Sequence, residues 1–111
     1  MEKKVKVEKK QIGLKASAGT VRRYRDAFGA DLLLDMSVVE GDLISNKCLT
    51  AESTKIGEQV AWIMAKEYDP SIPELEEWLE QFSPYFVLLV APHIIQMWRD
   101  NLHTLNESKK S

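Results

Sequence analysis

The stretch SAGTVRRYRDAFGADLL, Ser17 to Leu33, decides the fold, because here a two-residue hydrophobic alternation gives way to helical spacing. Ser17 suits a helix N-cap, since its short side chain can accept from a first-turn N–H that has no carbonyl partner of its own. Val21, Tyr24, Ala27 and Phe28 follow at three, three and one, which gathers them on one inward face, while Arg22, Arg23 and Asp26 point outward. Gly29 fits the left-handed residue that closes such a helix. Asp31 then repeats the start signal for a second helix, carrying Leu32, Leu33, Met36 and Val39 and stopping near Gly41.

Upstream, Val5–Val7 and Ile12–Ala16 alternate apolar with polar residues, and the charged EKKQ between them can turn, so two short antiparallel strands are expected. A lone hairpin is marginal in water, so it should lie on the helices that follow. Downstream, GDLISNKCL (41–49) has no strong period and reads as a connector. Thr50 caps a third helix with Ile56, Val60, Ile63 and Met64 on its inner face, closed at Asp69 because a residue before proline avoids helical angles. In SIPELEEWLEQF, Ser71 and Glu74 have the spacing of a capping box, and Leu75, Trp78, Leu79 and Phe82 form an apolar stripe. Ser83 and Pro84 start the next helix, which either kinks at Pro92 or stops there and restarts with Ile94, Ile95, Met97, Trp98 and Leu102. The expected fold is mainly α: a small helical domain of five to six helices with an N-terminal two-stranded β-hairpin. One domain spans 1–111, with the hairpin at 3–16, the helical body at 17–105 and a frayed polar tail at 106–111.

A chain of 111 residues, 44% hydrophobic and 29% charged, suffices for one modest core. Cys48, its single cysteine, cannot form an internal disulfide, which fits a reducing cytoplasmic setting, and such a lone cysteine is usually a small buried hydrophobe. The basic N-terminus meets no apolar signal segment, and the longest apolar run, Tyr85 to Ala91, falls far short of a bilayer span, so no membrane association is expected. The net charge of −2 hides a division: residues 1–25 hold nine Lys or Arg against two Glu, and the remainder holds 15 acids against six bases.

Catalytic patterns are missing from the spacing, and the expectation is no enzyme and no cofactor. His93 and His103 are ten apart, with no further His or Cys at ligand spacing, so no metal site is expected. Ser17, Ala18 and Gly19 share only the looseness of a phosphate loop, without the Lys-Ser/Thr that completes one. Arg22, Arg23 and Arg25 beside two consecutive helices resemble a DNA-reading motif, yet the second helix, DLLLDMSVVEGD, offers four acids and no Arg, Lys, Asn or Gln for base edges. Nucleic-acid binding is therefore disfavoured, and a small DNA-binding regulator stays an alternative only.

The run LKASAGTVRRYRDAFGADLLLDM (14–36) resembles the signature of tail assembly chaperones from long-tailed phages and prophages of Gram-positive hosts. VAWIMAKEYDPSIPELEEWLEQF (60–82) and MWRDN (97–101) resemble that family's later blocks, in the same order, so that the likeness covers about residues 12 to 105. It implies a non-catalytic cytoplasmic protein whose partners are the tape-measure protein and the tail-tube protein. Apart from the resemblance, a homo-oligomeric (dimeric) scaffold without a client is a competing reading. Phe86 to Val90 are five consecutive large apolar residues, which about 100° steps spread around a helix, so one core-facing stripe cannot hold them all. Tyr85, Leu88, Leu89 and Trp98 are accordingly the partner-binding candidates, with Arg22 and Arg23 as a docking face.

The stripe through Trp78 makes a direct prediction. Trp78→Ala should cost about 3–5 kcal/mol if its ring is buried, whereas Glu77→Ala beside it should change thermal melting little. Equal melts for the two variants would mean that the helix face is misassigned.

Overall fold

An antiparallel hairpin and five helices make up the described part of the chain, which in this computed structural model is residues 1–46 and 48–110, with side chains described through residue 100. The strands are β1 (Glu2–Val7) and β2 (Lys10–Lys15); the helices are α1 (Ala18–Phe28), α2 (Leu32–Asn46), α3 (Ala51–Tyr68), α4 (Leu75–Leu79) and α5 (Phe86–Lys110). This is the mainly-α domain with an N-terminal hairpin that the spacing predicts.

In the hairpin, Val5 pairs with Ile12 and Val7 with Lys10 across a two-residue turn. Glu8 and Lys9 both have positive φ, 53° and 69°, as a turn that follows the strands' right-handed twist requires. Neither is glycine, so the turn is strained, and contacts with the far end of the chain help to hold it. The Glu8 carboxylate accepts from the Ser83 N–H at 2.9 Å and from the Ser83 hydroxyl, and the Lys10 ammonium donates to the Gln81 carbonyl at 3.1 Å. The Ser83 hydroxyl, then its N–H, hold the Glu8 carboxyl below the usual carboxylate range. Val5, Val7, Ile12 and Leu14 are buried, with β2 lying along α3.

Helix α3 is the centre. Val60 to Ala65 are six consecutive buried residues, and α1, α2, α4, α5 and β2 all pack against this helix. At Gly57 an added Cβ would fall 2.3 Å from Cγ1 of Val87, so the missing side chain lets α5 approach. Thr50 and Ser53 cap each other's backbone at its start, as Ser17 and Thr20 do on α1, while Asp31 accepts from Leu34 N–H at 3.0 Å at the start of α2. Gly29 closes α1 in the left-handed conformation, φ 64°.

Four local expectations are corrected. The second helix does not stop at Gly41 but runs to Asn46, because Leu43 continues the inward series of Leu32, Met36 and Val39 and Gly41 sits on the open side. The α1 face uses Thr20 in place of Ala27, which is exposed, as is Leu33 on α2. Ser71 makes no capping box with Glu74; its N–H and hydroxyl both donate to Asp69, and α4 starts at Leu75 without a side-chain cap. Pro73 explains this, since it disfavours the helical angles that Ile72 would need directly after a Ser71 cap. Cys48 is exposed rather than buried.

The alternatives at Pro92 are also resolved: α5 continues through it, giving five helices rather than six among the described residues. Pro92 is exposed, so the hydrogen bond it fails to make lies on the solvent side, while buried Val90, Ala91, Ile94 and Met97 hold the helix in place on the other. The helix continues to Lys110, past the expected end of the helical body; Ser111 lies outside the described residues, as do the side chains of Leu102 and His103.

Tyr24 links three helices. Its buried hydroxyl donates to Asp35 on α2 at 2.6 Å and lies 3.3 Å from Oε1 of Gln59 on α3. Burial first, then the Asp35 hydrogen bond and charge, push the phenol well above its ordinary value of 10.0. The unfolded chain therefore releases this proton before the folded one, so the contribution is intact below pH 10 and is lost as pH rises beyond it. Thermal melts between pH 8 and 11 should fall more steeply for the native chain than for Tyr24→Phe; parallel curves would remove Tyr24 from the alkaline transition.

Candidate partner-binding surface

A helix covered on one side only must leave part of a consecutive apolar run outside, and α5 does so at one end. Phe86, Val87, Val90 and Ala91 are buried, whereas Tyr85 just before the helix is 67% exposed, Leu88 42% and Leu89 47%. Pro92 has no N–H to give the Leu88 carbonyl, so this face carries an acceptor without its helical donor beside its apolar side chains. Leu88, Pro92, Ile95 and Arg99 follow at four, three and four along one line of the helix.

That line leads to α2. A groove of about 120 Å³ separates the two helices, with Met36 and Trp98 among its lining, Leu33 and Ser37 on one side and Ile95 and Arg99 on the other. Arg99 pairs with Glu40 across it. On α2 itself Leu34 is 68% exposed, Val38 42% and Ile44 68%, so the helix is apolar on its solvent side as well as toward α3. The run Leu32–Leu34 carries the signal that would have found this, since three consecutive leucines span about 200° and cannot all face inward. The same geometry singled out Phe86–Val90 from the sequence.

The other candidates divide. Trp98 is 5% exposed and its indole N–H points at the Met64 sulfur, 3.4 Å away, which makes it part of the core rather than of an open surface. Arg23 pairs with Glu67 at 3.1 Å, tying α1 to α3, and like Arg22 and Arg25 it is exposed. The arginines are therefore separate from the apolar surface built by Tyr85, Leu88 and Leu89. Among the described residues no group of three or more His, Cys, Asp or Glu is placed to hold a metal ion, and no helix is long and apolar enough to cross a membrane. Helix α2 has no basic side chain, its charged residues being Asp35, Glu40 and Asp42. What these surfaces offer chemically is apolar contact area.

Neither protein-family models nor curated proteins nor solved structures yield a match to this chain.

Burial separates the candidates experimentally. Leu89→Glu should leave stability within about 0.5 kcal/mol of the native chain, while Trp98→Ala should lose about 3–5 kcal/mol. Chemical denaturation that finds Leu89→Glu as damaging as Trp98→Ala would show that the α5 face is covered.

Proposed function

We propose that this protein is a non-catalytic tail assembly chaperone of a long-tailed phage or prophage, acting in the cytoplasm of the host cell. Its clients in this reading are the tape-measure protein, which it keeps soluble, and the tail-tube protein, whose assembly around the tape measure it assists. The reading starts from the resemblance carried by residues 14–36, 60–82 and 97–101. The observation that carries it furthest is the set of exposed apolar side chains, Leu34 and Val38 on α2 and Tyr85, Leu88 and Leu89 at the start of α5. A tape measure is a long helical chain whose apolar stripes are bare until the tube surrounds it, and a holder must present apolar surface of its own.

Two kinds of result would favour the other readings. A stable dimer without a client supports a scaffold, and a salt-dependent shift with duplex DNA supports a regulator acting through Arg22 and Arg25. The decisive experiment is co-expression with a tape-measure protein as the candidate client. The native chain should keep that client soluble, and folded Leu89→Glu should lose the capture. A folded Leu89→Glu that still holds the client would move the search to the face of Arg22 and Arg23.

A further inference from the structure

A cleft of about 680 Å³ lies beside the hairpin, away from the α2–α5 groove. One wall is the consecutive β2 segment from Lys10 to Gly13; facing it are Ile72 and Pro73, from the connection after α3, with Trp78 and Phe82. Four consecutive strand residues along a cleft mean that it follows a sheet edge, so the strand's backbone decides what can enter.

Met1 and Ala16 exchange both backbone hydrogen bonds, at 2.9 and 2.8 Å, which makes them a hydrogen-bonded pair of the antiparallel ladder. Alternation from there makes Lys3 with Leu14, Val5 with Ile12 and Val7 with Lys10 the other pairs of that kind. The N–H and C=O groups of Gln11 and Gly13 consequently point away from β1, toward the cleft. No described residue bonds to them. Gly13 has no side chain, and the Tyr68 ring takes the space: a Cβ there would lie 2.2 Å from it.

We propose that this edge accepts an extended segment of a partner protein as a third strand, and that the segment alternates acidic with apolar residues. Successive side chains of an added strand point to opposite faces of the sheet. On the face shared with Gln11 and Gly13, they meet Lys15 and, one strand further on, Lys4 and Lys6, three lysines in no described ion pair against the single acid of that face, Glu2 opposite Lys15. On the other face they meet Ile72, Trp78 and Phe82. Asp69, the carboxylate of the lining, is occupied by Ser71, whose N–H and hydroxyl donate to it at 3.0 and 2.6 Å. A second copy of β2, KQIGLK, is a poor occupant, because its lysines would meet their own kind.

The test uses the full chain and a fluorescent nine-residue peptide alternating Glu and Val, beside a Lys/Val peptide of the same length and an oligothymidine. The Glu/Val peptide should bind at least tenfold more tightly than the Lys/Val peptide and should slow amide exchange at Gln11 and Gly13. Gln11→Pro removes an edge N–H that β1 does not use, a position where a sheet tolerates proline, and should weaken binding at least tenfold. Should Gln11→Pro disturb the hairpin, Lys4→Glu with Lys6→Glu provides the second variant, which should reverse the preference between the two peptides. Equal binding of the two peptides, unchanged exchange at Gln11 and Gly13, or oligothymidine displacing the peptide would overturn the proposal. None of these readouts needs the tape-measure client, so this edge and the chaperone reading stand or fall separately.

Discussion

Everything in this small protein follows from burying one helix on all sides. A surface helix hides one stripe, but α3 hides Val60 to Ala65 without a break, so hairpin and helices each have a side of it to cover. Close approach is allowed where side chains are small, as at Gly57 against Val87. Polar atoms inside are accounted for: the Trp62 indole donates to the Pro73 carbonyl at 2.9 Å, Tyr24 reaches Asp35 and Gln59, and no buried side-chain nitrogen or oxygen among the described residues lacks a partner. Covering α3 uses one face each of α2 and α5. On their other faces Leu34, Val38 and Ile44 of α2 and Leu88 and Leu89 of α5 stay exposed.

The sequence was legible wherever one residue type has one local job. Ser17, Gly29, Asp31 and Thr50 mark helix ends through bonds made within a few residues, and all four do so in the structure. Strand alternation likewise placed Val5, Val7, Ile12 and Leu14 inside. Readings failed where two local rules compete. Ser71 had the spacing of a capping box but also an aspartate two residues before it and a proline two residues after it, and the nearer partner won. Gly41 carried a stop signal that the Leu43 contact overrode.

The candidate surface was harder, because exposure is a property of neighbours rather than of spacing. Counting consecutive apolar residues shows only that a single stripe cannot hold all of Phe86–Val90; packing decides that Leu88 and Leu89 are the ones outside. Trp98 shows the same limit: aromatic character suits an interface and a core equally, and only the packing beside Met64 on the facing helix places its ring inside. The β2 edge left even less trace, since which backbone groups are free depends on ladder parity, which no side chain reveals.

The hairpin's anchors have a consequence in time. Glu8 reaches a residue 75 positions away and Lys10 one 71 positions away. The strands can close within microseconds of being made, but at ordinary elongation rates roughly 3–14 seconds separate the end of β2 from Ser83. During that interval Val5, Val7, Ile12 and Leu14 have no complete core to sit on. The six lysines among the first 15 residues fall in this same segment, so the part of the chain that waits longest for its core is also a strongly basic one.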